Sequence, residues 1–241
     1  MPASTTTAQP PSETGFEGFT PEAIQFLADL AENNDRAWFQ PRKAEFERLL
    51  KAPLEALCSD LAERFRARGL PLHADPARSP FRIYRDVRFA KDKSPYKTNI
   101  GANFPFVDDG PAPAERRGVS GYFHFSPGEI FVGGGMWHPE PARLAAFRQA
   151  VVADPAGVRA LFDEGSFVTQ FGGPSREGHS LTRVPKGFPA DHREAELLKL
   201  KDIVFGRRID DREAFSPVLA DLVVEALEAG VPVMRFLARL A

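Results

Sequence analysis

The chain is 241 residues long, 43% hydrophobic and 27% charged, which excludes a wholly disordered or collagen-like polypeptide and allows a sizeable core. Its formal net charge of −2 gives no overall attraction to nucleic acid. A single cysteine, Cys58, excludes an intramolecular disulfide scaffold, and its apolar neighbours Leu54, Leu57 and Leu61 predict a buried, inert thiol.

Residues 1–15 are small, polar and proline-rich and are expected to form a disordered tail, followed by one α+β domain over 16–241. The N-terminus lacks a basic segment, an apolar segment and arginine, so neither a secretory signal nor a transit peptide is expected. No run is long and apolar enough to span a membrane, and the expected location is cytoplasmic. Thr20-Pro21 opens a helix with Ile24, Leu27 and Leu30 on one face, ending at Asn33-Asn34. Asp35 caps the next, interrupted at Pro41, and Pro53 begins a third that Gly69 stops.

The middle of the chain changes period. Phe81 to Phe89 alternates, with Arg82, Tyr84, Asp86 and Arg88 on one face, which predicts a strand. Ile100 to Phe106 alternates too, and Gly121–Phe125 and Glu129–Gly135 flank a hairpin turn at Ser126-Pro127-Gly128. DDGPAPAERRG, residues 108–118, reads as a loop. The C-terminal third predicts helices over Pro141–Val152, Pro155–Glu164 and Arg193–Lys201, and a strand at Ile203–Phe205. A helix from Ser216-Pro217, closed by Gly230, and a short final helix complete the chain. The fold class is α+β: a central, mainly antiparallel sheet of about four to six strands flanked by N-terminal and C-terminal helices that cover one face.

Charge is concentrated. From Arg78 to Lys97 there are seven basic residues against Asp86 and Asp92, a local balance of +5 in a remainder of −7. Two guanidinium forks on one strand face, continued by Lys91, Lys93 and Lys97, suit phosphate or carboxylate. The expected ligand-binding residues are Arg82, Tyr84, Arg85, Arg88, Lys91, Lys93, Tyr96 and Lys97, and Asp86 and His124 are candidate catalytic groups. His124 lies with Tyr122 and Ser126 on one strand face; beside the basic strand it would join Arg82 and Arg88. Gly133-Gly134-Gly135 suits either a phosphate approached by backbone N–H groups or a close packing contact.

The run YRDVRFAKDKSPYK from Tyr84 to Lys97 resembles the signature of the domain-of-unknown-function family 2461. Asn33-Asn34-Asp35-Arg36 with Trp38-Phe39, Ile100-Gly101, Gly121-Tyr122-Phe123, Gly133-Gly134-Gly135 with Trp137, Pro185-Lys186-Gly187-Phe188 and Glu196-Leu197-Leu198-Lys199 fit the same pattern in the same order. The resemblance runs from about Phe16 to the C-terminus, implies one domain and carries no reaction, cofactor or partner. Ala90 stands where serine is expected in many members, so no hydroxyl role is assigned there.

Three functions compete on these residues. The first is an anion-binding site, with or without catalysis, for a phosphate- or carboxylate-bearing small molecule on the polar sheet face. The second is a nucleic-acid-binding module using the basic strand and lysine loop, with Tyr84, Phe89 and Tyr96 as stacking rings. The third is a structural or protein-interaction domain in which acidic residues neutralise the basic strand. No cofactor is expected. The histidines at 73, 124, 138, 179 and 192 show neither HExxH nor paired metal spacing, and no metal is expected. GxxxxGK[ST], GxGxxG and GxSxG are absent.

Overall fold

The computed structural model describes residues 15–88, 90–107, 118–176 and 178–240. The expected tail, apart from Gly15, and nearly all of the expected 108–118 loop lie outside the described residues, as does Phe89. Helix α1 (Pro21–Glu32) buries Ala23, Phe26, Leu27 and Leu30. Asp35 caps α2 (Arg36–Phe39) by accepting the Trp38 N–H at 2.9 Å. Pro41 falls in a single 3-10 turn (Gln40–Arg42), followed by α3 (Lys43–Phe46). Pro53 stands in the first turn of α4 (Ala52–Ala67), as expected, but no gap precedes that helix: a π turn (Glu47–Lys51) runs directly into it. Pro53 has no N–H to return to the carbonyl four residues back, and the wider turn absorbs that mismatch. Gly69, at φ +62, ends the helix where a left-handed residue is needed.

Among the described residues the sheet has four strands in the order β1 (Ile100–Pro105), β2 (Val119–Ser126), β3 (Glu129–Met136), β4 (Ile203–Arg208), each antiparallel to the next. The register sets its two faces. Ile100, Ala102, Phe104, Phe123, Phe125, Ile130, Val132 and Phe205 point into the core. Against them lies α10 (Val218–Ala238), with Leu227 over Gly121 and Met234 beside Gly134. One connected cluster of buried side chains runs from Phe16 to Ala238.

The remaining helices are α5 (Pro141–Ala153), α6 (Pro155–Asp163), α7 (Gly165–Phe171), α8 (Ala195–Leu198) and α9 (Asp211–Ala214). The helix expected over Pro155–Glu164 is α6, which ends at Asp163, and Glu164 also caps α7 by accepting the Phe167 N–H. One expected stop fails: Gly230 does not close a helix. It lies inside α10, where the Phe205 ring packs so closely that a Cβ would sit 2.5 Å from it, and the helix continues through Pro232. None of the helices among the described residues is long and apolar enough to cross a membrane.

The predicted strand over 81–89 is not a strand. Ser79 to Phe81 lies along the outer edge of β1, where the Phe81 N–H donates to the Gly101 carbonyl and the Asn103 N–H to that of Ser79. Beyond it the chain folds back on itself through a single bridge, Tyr84 to Tyr96. Asp86 and Asp92 accept the N–H groups of Arg88 and Ser94, two residues ahead, and these local turns replace a continuing ladder. The alternation is real, since Arg82, Tyr84, Asp86 and Arg88 are all exposed. It arises from extended chain laid beside a sheet.

Candidate functional site

Among the described residues no helix covers the second face of the sheet, and its floor is short of side chains. Asn103, Tyr122, Gly133 and Gly206 lie across it in one row, with Gly101, His124, Phe131 and Arg208 in the next. Extended arms flank both edges. Ser79 to Phe81 borders β1, and the Ser175 N–H donates to the Val204 carbonyl beyond β4. Residues 179–181 pair with 199–201 in continuation of that second arm. The result is a concavity of about 930 Å³, lined by Phe81, Tyr122, His124, Phe131, Trp137, Arg176, His179 and Arg208 among others.

The three consecutive glycines belong to this floor but not to a helix N-terminus. A Cβ on Gly133 would lie 2.2 Å from the Phe205 carbonyl oxygen, and one on Gly135 2.2 Å from that of Ile203. Of the two readings in the sequence, the structure supports the close packing contact, because β4 approaches too tightly for any side chain. Gly206 differs: nothing lies within 3.7 Å of its Cβ position.

At one end, Tyr122, His124 and Ser126 form a chain of hydrogen bonds. The Ser126 hydroxyl donates to the Glu129 carbonyl at 3.1 Å, so its oxygen is left to accept from His124 Nε2, 3.1 Å away. Nε2 therefore carries the proton, and Nδ1 accepts from the Tyr122 hydroxyl at 3.0 Å. Burial lowers the His124 pKa below the ordinary histidine value, with Glu129 pulling the other way. Burial, reinforced by Glu129, pushes the Tyr122 phenol up to about 12. The His124 ring stacks on Phe131 with centroids 4.9 Å apart. Both ring nitrogens are occupied, so His124 can act on a ligand only through the Tyr122 oxygen.

At the other end, Trp137 stands 58% exposed, with the His179 ring 5.1 Å from it in edge contact. Behind His179 lies Asp202, 4% exposed, whose carboxylate accepts from His179 Nδ1 at 3.1 Å and from the His138 N–H at 2.7 Å. That second bond holds His138 at φ +46, a conformation few residues other than glycine adopt. Sequence reasoning missed Asp202, His179, Trp137, Arg176 and Arg208 as a group. Their separation along the chain hid them, and the one available signal was the Gly-Gly-Gly-Met-Trp-His run that ends β3.

The residues expected from the sequence are placed differently. β1 stands between the basic segment and β2, so Arg82 and Arg88 do not join His124; of the segment's described residues only Phe81 reaches the concavity, its ring 6.1 Å from that of Tyr122. Arg88 grips Asp86 through two nitrogens, at 3.0 and 2.6 Å, and Arg85 pairs with Asp92. Each pairing holds its aspartate's pKa below the usual carboxylate value. Lys93 caps the Val87 carbonyl at 2.9 Å, and Lys97 lies 5.0 Å over the Phe81 ring. Arg82, Tyr84 and Lys91 are exposed. Tyr96 has no exposed surface: it stacks on Phe39, and its backbone N–H and carbonyl are both held by the Asn34 side chain at 3.0 Å.

The signature segment thus anchors to the Asn34 corner at its base and turns back over itself at its tip. The DUF2461 profile, a family of conserved hypothetical proteins, matches residues 22–236. The chain belongs to that family. No curated protein and no solved structure matches it. The match covers nearly the whole DUF2461 chain, including both arms that wall the concavity. Among the described residues no group of three or more His, Cys, Asp or Glu side chains is arranged to hold a metal ion. Cys58 is fully buried, and burial pushes its thiol up to about 12, too high for a nucleophile at neutral pH.

Proposed function

We propose that the open face of the sheet binds a small molecule that combines an apolar ring or chain with a carboxylate or phosphate. The observation that carries this reading is the concavity itself, with aromatic walls and cations at its rim. Phe81, Phe131 and Trp137 offer apolar surface, and Arg176 and Arg208 line the same space. Arg208 uses one nitrogen on the Gly128 carbonyl at 2.5 Å, and Arg176 stands 4.0 Å from Glu196 at an exposed position. Guanidinium groups so placed keep donors for an incoming anion. Three of the cations expected from the signature segment, Arg85, Arg88 and Lys93, serve its own loop, which favours a small-molecule pocket over a nucleic-acid surface.

The test is thermal melting with phenyl phosphate, benzoate and inorganic phosphate at low and moderate salt. At a hundred times its dissociation constant a ligand adds about 2.7 kcal/mol, or roughly 5–10 °C for a chain of this size. The ring-bearing anions should shift melting more than inorganic phosphate, and Arg208→Ala and Arg176→Ala should reduce the shift. No shift with any of them, or shifts indifferent to both variants, would refute the reading.

A further inference from the structure

We propose that His179, oriented by the buried Asp202, is the general base of this site, acting on ligands whose acidic C–H or O–H lies beside Trp137. The inference rests on the concavity being a ligand site.

Its argument is the contrast between two histidines lining one space. His124 is satisfied on both ring nitrogens by Tyr122 and Ser126. Among the described residues the His179 ring has one hydrogen-bond partner. Its Nδ1 meets the Asp202 carboxylate at 3.1 Å, and no described residue hydrogen-bonds its Nε2. An ionised carboxylate can only accept, so Nδ1 carries the ring proton and the Nε2 lone pair is free. A carboxylate this deeply buried is costly unless it is paired. Asp202 is enclosed by the His138 N–H, the His138 ring at 3.3 Å and the His179 ring. It is placed to receive the positive charge that appears on His179 when Nε2 takes a proton. The ring is fixed on a second side by Trp137, whose large exposed face lies where an apolar substrate would rest. A base held by a third group and next to an aromatic platform is the arrangement proton abstraction requires.

The chemistry is a proton transfer. The Nε2 lone pair bonds to the substrate hydrogen, the electrons of the broken C–H or O–H bond stay on the substrate, and the imidazolium charge faces Asp202. Nothing is oxidised or reduced.

A probe that needs only a base and an apolar pocket is 5-nitrobenzisoxazole. Loss of its C3 proton forms the nitrile as the N–O bond breaks, giving the coloured 2-cyano-4-nitrophenolate. The wild-type chain should convert it faster than free imidazole at equal concentration. His179→Gln should lower the rate about 100-fold, whereas His73→Gln, on an exposed residue away from the site, should not change it. Asp202 is a positioning residue, and its role is read separately by 15N NMR of the histidine rings. In the wild type His179 should show Nδ1 protonated and Nε2 bare, and Asp202→Asn should shift it toward the other tautomer. A rate no greater than imidazole, a rate that survives His179→Gln, or a wild-type His179 protonated on Nε2 would each overturn the proposal. The NMR measurement on the wild type needs no variant to fold. The probe is uncharged, so failure of the anion panel and failure of this test are distinct results.

Discussion

Replacing Gly133 by alanine tests whether the glycine floor exists because β4 lies so close. The added Cβ would stand 2.2 Å from the Phe205 carbonyl oxygen and 3.0 Å from the Gly206 Cα. A carbon needs over 3 Å there, so roughly 1 Å of separation must open between β3 and β4. Both partners of the clash are backbone, held in a ladder from Phe131↔Arg208 to Met136↔Ile203, so no side chain can rotate away. Overpacking of this kind costs about 1–3 kcal/mol, and a weakened ladder hydrogen bond about 1 kcal/mol more. The expected loss is about 2–4 kcal/mol, which at this chain length lowers the melting temperature by roughly 5–15 °C. Gly206→Ala is the matched comparison. Its Cβ would meet nothing closer than 3.7 Å, and its effect should stay within about 1 kcal/mol. Urea and thermal unfolding followed by circular dichroism measure both. If Gly133→Ala is as stable as wild type, or Gly206→Ala is equally damaged, the close-approach argument is wrong.

Three further outcomes follow from contacts elsewhere. Asn34→Ala removes the acceptor of the Tyr96 N–H and the donor to its carbonyl, and should cost about 1–3 kcal/mol in urea unfolding. Arg159→Ala leaves the buried carboxylate of Glu194 without its main partner and should cost about 3 kcal/mol, while a double variant with Glu194→Gln recovers part of that loss. Because burial lowers the His124 pKa, the unfolded chain binds that proton more readily than the folded one. Its contribution to stability is therefore complete above about pH 6.5 and declines as pH falls toward the lowered folded value. Unfolding midpoints of the wild type and His124→Gln across that range should converge at acid pH, and parallel curves would contradict the assignment.

The two central strands were legible because alternation and the Ser126-Pro127-Gly128 turn are local signals. Phe123 and Phe125 point inward, and Tyr122, His124 and Ser126 outward, as their spacing requires. The outer strands were harder. Arg82 to Arg88 alternates as a strand does, but nothing in a period of two shows whether a neighbour is present to complete a ladder. The fourth strand, expected at Ile203–Phe205 and extending over Ile203–Arg208, pairs with β3 across 66 or more residues of intervening chain. The same distance hid the Asp202–His179–Trp137 contacts, which no local pattern could announce. The charge count misled for a different reason. Arg85 and Arg88 each find an aspartate within the same loop, and the cations behind the net +5 (Arg78, Arg82, Lys91, Lys93 and Lys97) lie outside the lining of the concavity.

Phe205 ties the concavity to the helix beneath it. Its ring lies against Gly230 of α10 at 2.5 Å from where a Cβ would be, and also beside Gly134 of β3. Neither α10 nor the strand pair can slide or rotate without driving that ring into backbone. Any adjustment to ligands of different size must then come from the arms at 79–81 and at 175, 176 and 179–181, which are held by a handful of backbone bonds each. The site behaves as a fixed bench with movable jaws: hydrogen exchange should be slow along β2, β3 and α10, and ligand-sensitive protection should appear in the two arms.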